Sequence, residues 1–154
     1  MKTQNVSIVS IHPDPAKPLE LDVKHILAAL GPHLQQWTWC VRNLDWLGEN
    51  AEAICKRVEA AAPKGLRITS PELLEAARGV YQTIEGEFIA FPRDLDALEV
   101  DLQGGVGSFP TSKADFAIVA VDGSFFVIYA KDPDILVSLR GIGDIREEDV
   151  SLYS

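Results

Sequence analysis

Three histidines and two cysteines are the side chains of this sequence best suited to metal binding. His25 and His33 are eight positions apart, but Gly31-Pro32 lies between them and interrupts any shared helix. A zinc site needs three or four converging ligands, and neither a paired His-x-His nor a Cys-x-x-Cys spacing occurs. The sequence therefore predicts no metal centre.

The sequence also lacks the motifs of nucleophilic catalysis and of phosphate binding. Cys40 lies between Trp39 and Val41 in a predicted strand, and a buried thiol has a raised pKa that makes it a poor nucleophile. No Gly-x-Ser-x-Gly elbow occurs, and residues 104–107 carry glycines without the Gly-Lys-Ser/Thr of a phosphate-binding loop. We expect no catalytic residues, no cofactor and no enzymatic activity.

Carboxylates are the one chemical group present in excess. The chain has a net charge of −9, with 8 basic and 9 acidic residues in 1–77 but 6 basic and 14 acidic residues in 78–154. Within 85–101 six carboxylates stand against Arg93 alone and alternate with large apolar residues. This pattern predicts a surface that binds a basic protein, and a merely solubilising surface is the alternative. The predicted partner-binding residues are Glu85, Glu87, Asp94, Asp96, Glu99 and Asp101.

The same charge excludes several classes of partner. Phosphate backbones and anionic membrane surfaces repel an acidic protein, so we expect neither nucleic-acid nor membrane binding. No apolar stretch approaches the length of a membrane span, and the N-terminus does not resemble a signal peptide. The length of 154 residues and an apolar fraction of 47% are typical of one globular domain, 1–154, which we expect in the cytoplasm.

Tryptophan provides a further candidate site. Trp37 and Trp39 share one face of a predicted strand. Such residues occur in a core, at a protein interface or around a ligand pocket, and the spacing alone leaves all three open.

Hydrophobic periodicity predicts the elements that position these residues. Asp22, Asn50, Ser70 and Asp132-Pro133 are expected to begin helices, and Asp122-Gly123 between two β-rich runs predicts a hairpin. Helices are expected at 22–30, 50–62, 70–78 and 132–140, and strands at 6–11, 36–47, 66–69, 80–91, 98–102, 114–121 and 124–130. The acidic tail 144–150 either adds a strand or remains free. Because strands do not alternate regularly with helices, the fold class is α+β, a mainly antiparallel sheet with three to four helices packed against it.

An ordered series of short segments resembles the immunity proteins of bacterial polymorphic and contact-dependent growth inhibition toxin systems. The similarity extends over residues 36–150, in Trp37-Thr38-Trp39, Asn43-Leu44-Asp45, Ser70-Pro71-Glu72-Leu73-Leu74, 82–91, 120–126 and Pro133-Asp134-Ile135-Leu136. The resemblance implies an acidic α+β domain without catalytic residues that covers the active site of a cognate toxin or an adjacent surface. Interfaces in this family differ from pair to pair, so the acidic segment is chosen on charge alone.

Three functional hypotheses follow. The first is an inhibitor of a basic toxin, for which a nuclease fits best because its substrate channel is positive. The second is a small ligand-binding domain or enzyme with a pocket beside Trp37 and Trp39. The third is a subunit that forms a homodimer through a sheet edge. A flat acidic face favours the first, a deep pocket with converging titratable groups the second, and a two-fold apolar patch the third.

Chelation tests the expected absence of a structural metal. Because no ligand set is present, excess EDTA should change the melting temperature by less than about 1 °C. A fall of several degrees in a thermal unfolding curve would contradict this expectation.

Overall fold

A computed structural model of the chain describes residues 6–17, 20–95, 109 and 112–147. These residues form one antiparallel sheet of seven strands in the order β3-β2-β4-β5-β6-β1-β7. The strands are β1 (Ser7–His12), β2 (Trp37–Gly48), β3 (Leu66–Thr69), β4 (Val80–Pro92), β5 (Phe116–Val121), β6 (Phe125–Ala130) and β7 (Asp144–Glu147). The helices are α1 (Val23–Leu30), α2 (Ala51–Ala60), α3 (Ser70–Arg78) and α4 (Asp134–Val137), with a 3₁₀ helix at Gly31–Gln36. The predicted α+β class is confirmed.

The predicted hairpin at Asp122-Gly123 is confirmed, with three residues, 122–124, between its last paired positions Val121 and Phe125. Asp122 and Gly123 both adopt positive φ, 49° and 67°, the conformation that hairpin turns matched to the strand twist place at their two central residues. The Ser124 N–H donates to the Val121 carbonyl at 2.9 Å and closes the turn.

One predicted helix cap is corrected, and a second, Asn50, is confirmed as the N-cap residue without the side-chain hydrogen bond of a cap. The cap of α3 is Thr69, whose Oγ1 accepts from the Glu72 N–H while the Glu72 carboxylate accepts from the Thr69 N–H. Ser70 lies inside the helix and is buried. Asn50 precedes α2 in a left-handed conformation and makes no side-chain cap hydrogen bond.

The C-terminal elements differ in length from expectation. Helix α4 is a single turn rather than a helix reaching residue 140, and residues 144–147 of the tail add β7 at a sheet edge. The strand predicted at 98–102 and the loop predicted at 104–107 lie outside the described residues. No helix in the described ranges is both long and apolar enough to cross a membrane.

The sheet is buried on both faces. One face packs against the four α-helices and includes Phe88 and Ile118 with Ile26 of α1. Along β4 the neighbouring side chains alternate to the other face, where Phe91 packs in a second cluster with Phe109.

Both candidate tryptophans of β2 are core residues. Trp37 stacks on Phe116 with ring centroids 5.3 Å apart, and Trp39 meets Trp37 edge to face at 5.8 Å. The Trp39 indole N–H donates to Ser70 Oγ at 2.9 Å, and Ser70 Oγ in turn donates to the Leu34 carbonyl at 2.7 Å. The buried serine therefore ties β2, α3 and the 3₁₀ helix together.

Ser70→Ala tests this buried link. The substitution leaves the Trp39 N–H without its partner, so the free energy of unfolding should fall by about 1–3 kcal/mol. Urea denaturation measures the change. Ser124→Ala removes an exposed hydroxyl and should stay within about 0.5 kcal/mol of the parent. Equal effects of the two variants would contradict the role of Ser70.

Candidate protein-binding surface

The predicted acidic segment is distributed along β4 and the turn after it. Glu85 and Asp94 are exposed, whereas Glu87 is half-buried. Asp96, Glu99 and Asp101 lie outside the described residues. Glu85 and Pro92 are seven positions apart along the strand, about 23 Å at about 3.3 Å per residue. The structure therefore does not bring Glu85 and Asp94 together.

Glu87 has a structural role within the sheet. Its Oε2 accepts from Arg42 Nε at 3.1 Å, and the two side chains are only 16% and 13% exposed. The same oxygen accepts from Asn43 Nδ2 at 3.3 Å. Because its charge is already compensated by Arg42, Glu87 contributes less to an outward-facing negative surface than Glu85 does.

Part of β2 and part of β4 form a two-stranded extension of the sheet, which we call the ribbon. It consists of residues 43–48 and 80–85, which among the described strands pair with each other and with no third strand. The pairing of β3 with β2 ends at Val41, and that of β5 with β4 ends at Gly86. Irregularities of register between Arg42 and Gly48 bend the ribbon locally.

The ribbon collects carboxylates that the sequence prediction did not include. Asp45 lies directly opposite Glu85 in the register, and both side chains are exposed. Glu49 follows β2, and Asp122 occupies the hairpin turn whose Gly123 N–H donates to the Ile84 carbonyl at 2.9 Å. None of these four carboxylates forms an ion pair with another residue in the described part of the chain.

Two large apolar side chains are exposed among these carboxylates. Tyr81 is 65% exposed and Leu47 is 49% exposed. Leu47 lies opposite Gln82, the neighbour of Tyr81, and the Tyr81 hydroxyl donates to Glu49 Oε1 at 3.3 Å. Exposed apolar side chains and carboxylates without ion pairs in the described part of the chain thus occur together on the ribbon and beside it. We call the six residues Leu47, Tyr81, Asp45, Glu49, Glu85 and Asp122 the outer surface of the ribbon.

The inner surface of the ribbon is fixed by a chain of buried hydrogen bonds. The Trp46 indole N–H donates to Thr83 Oγ1 at 2.8 Å, and the Thr83 hydroxyl donates to Asp22 Oδ1. Asp22 also caps α1, accepting from the Val23 N–H at 2.7 Å. Beside this chain Lys24 Nζ donates to the Val80 carbonyl at 3.1 Å. These bonds attach both ribbon strands to α1.

A broad depression in the described part of the surface bears on the ligand-binding hypothesis. It has a volume of about 790 Å³ and lies between α1 and residues 141–144, lined by Asp14, Lys17, Glu20, His25 and Asp144 among others. Neither Trp37 nor Trp39 lines it. His25 Nδ1 accepts from the Asp22 N–H at 2.9 Å, which ties this imidazole to the helix cap.

Asp115 and Lys131 carry opposite charges at the end of the β5–β6 hairpin that lies away from its turn. Burial raises the pKa of Asp115, an effect opposed by the Trp37 indole N–H that donates to Asp115 Oδ2 at 3.2 Å and by Lys131. Burial lowers the pKa of Lys131, and Asp115 opposes that shift. Lys131 Nζ donates to the Ser112 carbonyl and lies 5.4 Å from the centre of the Phe109 ring. These contacts hold Phe109 against the sheet.

Cysteines and potential metal ligands complete the inventory of reactive groups. Cys40 is buried, its Sγ donates to the Lys64 carbonyl at 3.3 Å, and burial raises the pKa of its thiol. In the described ranges, no group of three or more His, Cys, Asp or Glu residues is arranged to hold a metal ion.

Comparison with known proteins adds no relative. No protein-family description, curated protein or solved structure matches this chain.

Asp115→Asn tests the buried carboxyl. Burial makes the folded state bind the Asp115 proton more tightly than the unfolded chain, so this group's contribution to stability falls as pH rises above about 3.9. Asparagine abolishes that titration while keeping an oxygen for the Trp37 N–H. The variant should therefore gain stability relative to the parent as the pH rises above about 3.9, measured by urea denaturation. A stability difference between parent and variant that is constant with pH would contradict this assignment.

Proposed function

We propose that this chain is a protein-binding inhibitor, an immunity protein that neutralises a basic toxin by covering its active site or an adjacent surface. The observation that carries the proposal is the outer surface of the ribbon. There Tyr81 and Leu47 are exposed among four carboxylates without ion-pair partners in the described part of the chain. A basic nuclease is the class of toxin that fits best, because its substrate channel attracts negative charge.

The two kinds of side chain contribute differently to binding. An exposed ion pair supplies only about 0–1 kcal/mol, so Asp45, Glu49, Glu85 and Asp122 act mainly by steering a basic partner. Fully burying a large apolar side chain supplies about 1.5–3 kcal/mol, so Tyr81 and Leu47 are the anchors that slow dissociation. Charge and anchors together provide fast association and a long-lived complex.

The register of the ribbon argues against a surface that serves solubility alone. Asp45 and Glu85 are direct cross-strand partners, and like charges in such positions repel each other and destabilise the strand pair. Dispersed carboxylates would maintain solubility without that cost. A cationic partner would instead relieve the repulsion on binding, which favours a recognition role.

The remaining hypotheses receive less support. Trp37 and Trp39 are core residues, so a ligand pocket beside them would require the core to open. The terminal strands β3 and β7 have only four residues each, and such short strands disfavour pairing between sheets at those two edges. Two free cysteines agree with the proposed action in the reducing cytoplasm.

Charge reversal on the ribbon tests the proposal. The binding partner is the toxin domain encoded by the neighbouring gene, and association is followed by stopped-flow fluorescence at low and high ionic strength. The double variant Asp45→Lys, Glu85→Lys should associate at least about tenfold more slowly at low salt, because steering is reversed. The difference should shrink at an ionic strength of about 0.5 M. The melting temperature should change little, since like charges still face each other.

Two matched variants locate the interface. The double variant Asp132→Lys, Asp134→Lys makes the same change in net charge as the ribbon variant, but at the end of the β5–β6 hairpin away from its turn. It should retain most of the parent's association rate. Reversal of Asp94, Asp96, Glu99 and Asp101 to lysine tests the remainder of the predicted acidic segment. If the ribbon variant associates as fast as the parent at low salt, the ribbon is not the interface. A slow 94–101 variant would then assign the interface to that segment.

A further inference from the structure

A small cavity opens beside the ribbon, next to the buried hydrogen bond between Thr83 and Asp22. Its volume is about 40 Å³, and its lining includes Asp22, Thr83, Gln82, Ser124, Phe126 and Tyr81. A cavity that holds a single water has a volume of about 10–15 Å³, whereas a site for a metabolite usually has a volume of about 300–1,000 Å³. The cavity therefore fits a small functional group and excludes a whole metabolite.

The chemical character of the cavity comes from Asp22. This side chain is 4% exposed, and carboxylates this deeply buried are normally paired with a cation. In the described part of the chain Asp22 forms no ion pair. Lys24, two residues along the chain, donates its Nζ to the Val80 carbonyl instead. The carboxylate accepts hydrogen bonds from the Val23 and His25 N–H groups at the start of α1 and from the Thr83 hydroxyl, and none of these donors carries a formal charge.

The rest of the lining suits the end of an alkylammonium chain. Ser124 and Gln82 also line the cavity, and a hydroxyl and an amide oxygen are side-chain groups that can accept hydrogen bonds from an ammonium group. Phe126 and Leu21 add apolar residues to the lining, which suits the methylenes behind such a group. Tyr81 is the aromatic residue of the lining nearest the solvent-exposed part of the ribbon. A planar guanidinium is wider than an ammonium and carries five donors that this space does not match.

We infer that this cavity binds a primary alkylammonium group, supplied by a lysine side chain of the basic partner. The inference rests on the proposed function, since Tyr81 belongs both to the cavity and to the outer surface of the ribbon. The inserted lysine forms with Asp22 the buried ion pair that the free protein lacks. Free polyamines share this chemistry, so the experiment includes them as a separate source.

The first arm needs no partner protein. N-acetyl-lysine methylamide is titrated into the ¹⁵N-labelled chain, and amide shifts are followed at Thr83, Gly123 and Ser124. We expect saturable shifts at these residues with millimolar affinity. The norleucine analogue, which lacks the ammonium group, and the arginine analogue should each bind at least about fivefold more weakly.

Asp22→Asn is the decisive variant because asparagine keeps the shape and the capping oxygen while removing the charge. It should weaken lysine-amide binding at least about tenfold, with a melting temperature near that of the parent. Asp134→Asn removes an exposed charge elsewhere and should leave the shifts unchanged. Absence of saturable shifts, or equal shifts in parent and Asp22→Asn, would overturn the inference and leave the cavity as a water site.

The second arm identifies the source of the amine. With the toxin domain, Asp22→Asn should raise the dissociation rate at least about tenfold while the association rate stays within about twofold. Putrescine that binds at least about a hundredfold more tightly than lysine amide, together with unchanged toxin dissociation, would assign the cavity to a free amine and overturn the partner-lysine inference. Ribbon reversal slows association and Asp22→Asn speeds dissociation, so failure of one result is distinguishable from failure of the other.

Discussion

The hydrogen-bond chain from Trp46 through Thr83 to Asp22 is the interaction on which the ribbon depends. A two-stranded ribbon is only marginally stable in water, and within the described ranges no third strand pairs with residues 43–48 or 80–85. This series of hydrogen bonds joins β2, β4 and the start of α1 through three side chains that are at least nine-tenths buried. In the described part of the chain no buried side-chain nitrogen or oxygen lacks a hydrogen-bond partner, so this polar link does not leave a desolvated group uncompensated.

The side chains that attach the ribbon to the helices are different from the side chains that the ribbon exposes to solvent. The inner side chains Trp46 and Thr83 bind the helix layer, while Leu47 and Tyr81 point to solvent at the same level of the sheet. A firmly held backbone can tolerate the repulsion between facing carboxylates, and it presents apolar anchors in a fixed arrangement. Preorganisation of this kind lowers the entropic cost of association.

Much of the fold could be predicted from local patterns. Periodicity located β1, β2, β3, β4 and the β5–β6 hairpin, because alternation and turn chemistry are local properties of the chain. The cap of α3 was placed one residue late, since Thr69 and Ser70 are both good caps and only the surrounding core decides between them. Ser70 instead accepts a hydrogen bond from the Trp39 indole N–H. The two residues are 31 positions apart, so no local pattern indicates this contact. For the same reason the spacing of Trp37 and Trp39 could not separate core from interface.

The candidate site was less accessible from the sequence, because net charge along a segment is not the charge of a surface. Glu85 and Glu87 are two positions apart, yet Arg42 neutralises Glu87 while Glu85 faces another carboxylate. That carboxylate, Asp45, is 40 positions away and joins the site through the β2–β4 register, which also includes the bulges near Arg42. A shift of one residue in this register would exchange the outward and inward side chains of the ribbon. The surface that we propose for partner binding is therefore a product of strand pairing, and it depends on the same Trp46–Thr83 contact that keeps the pairing in place.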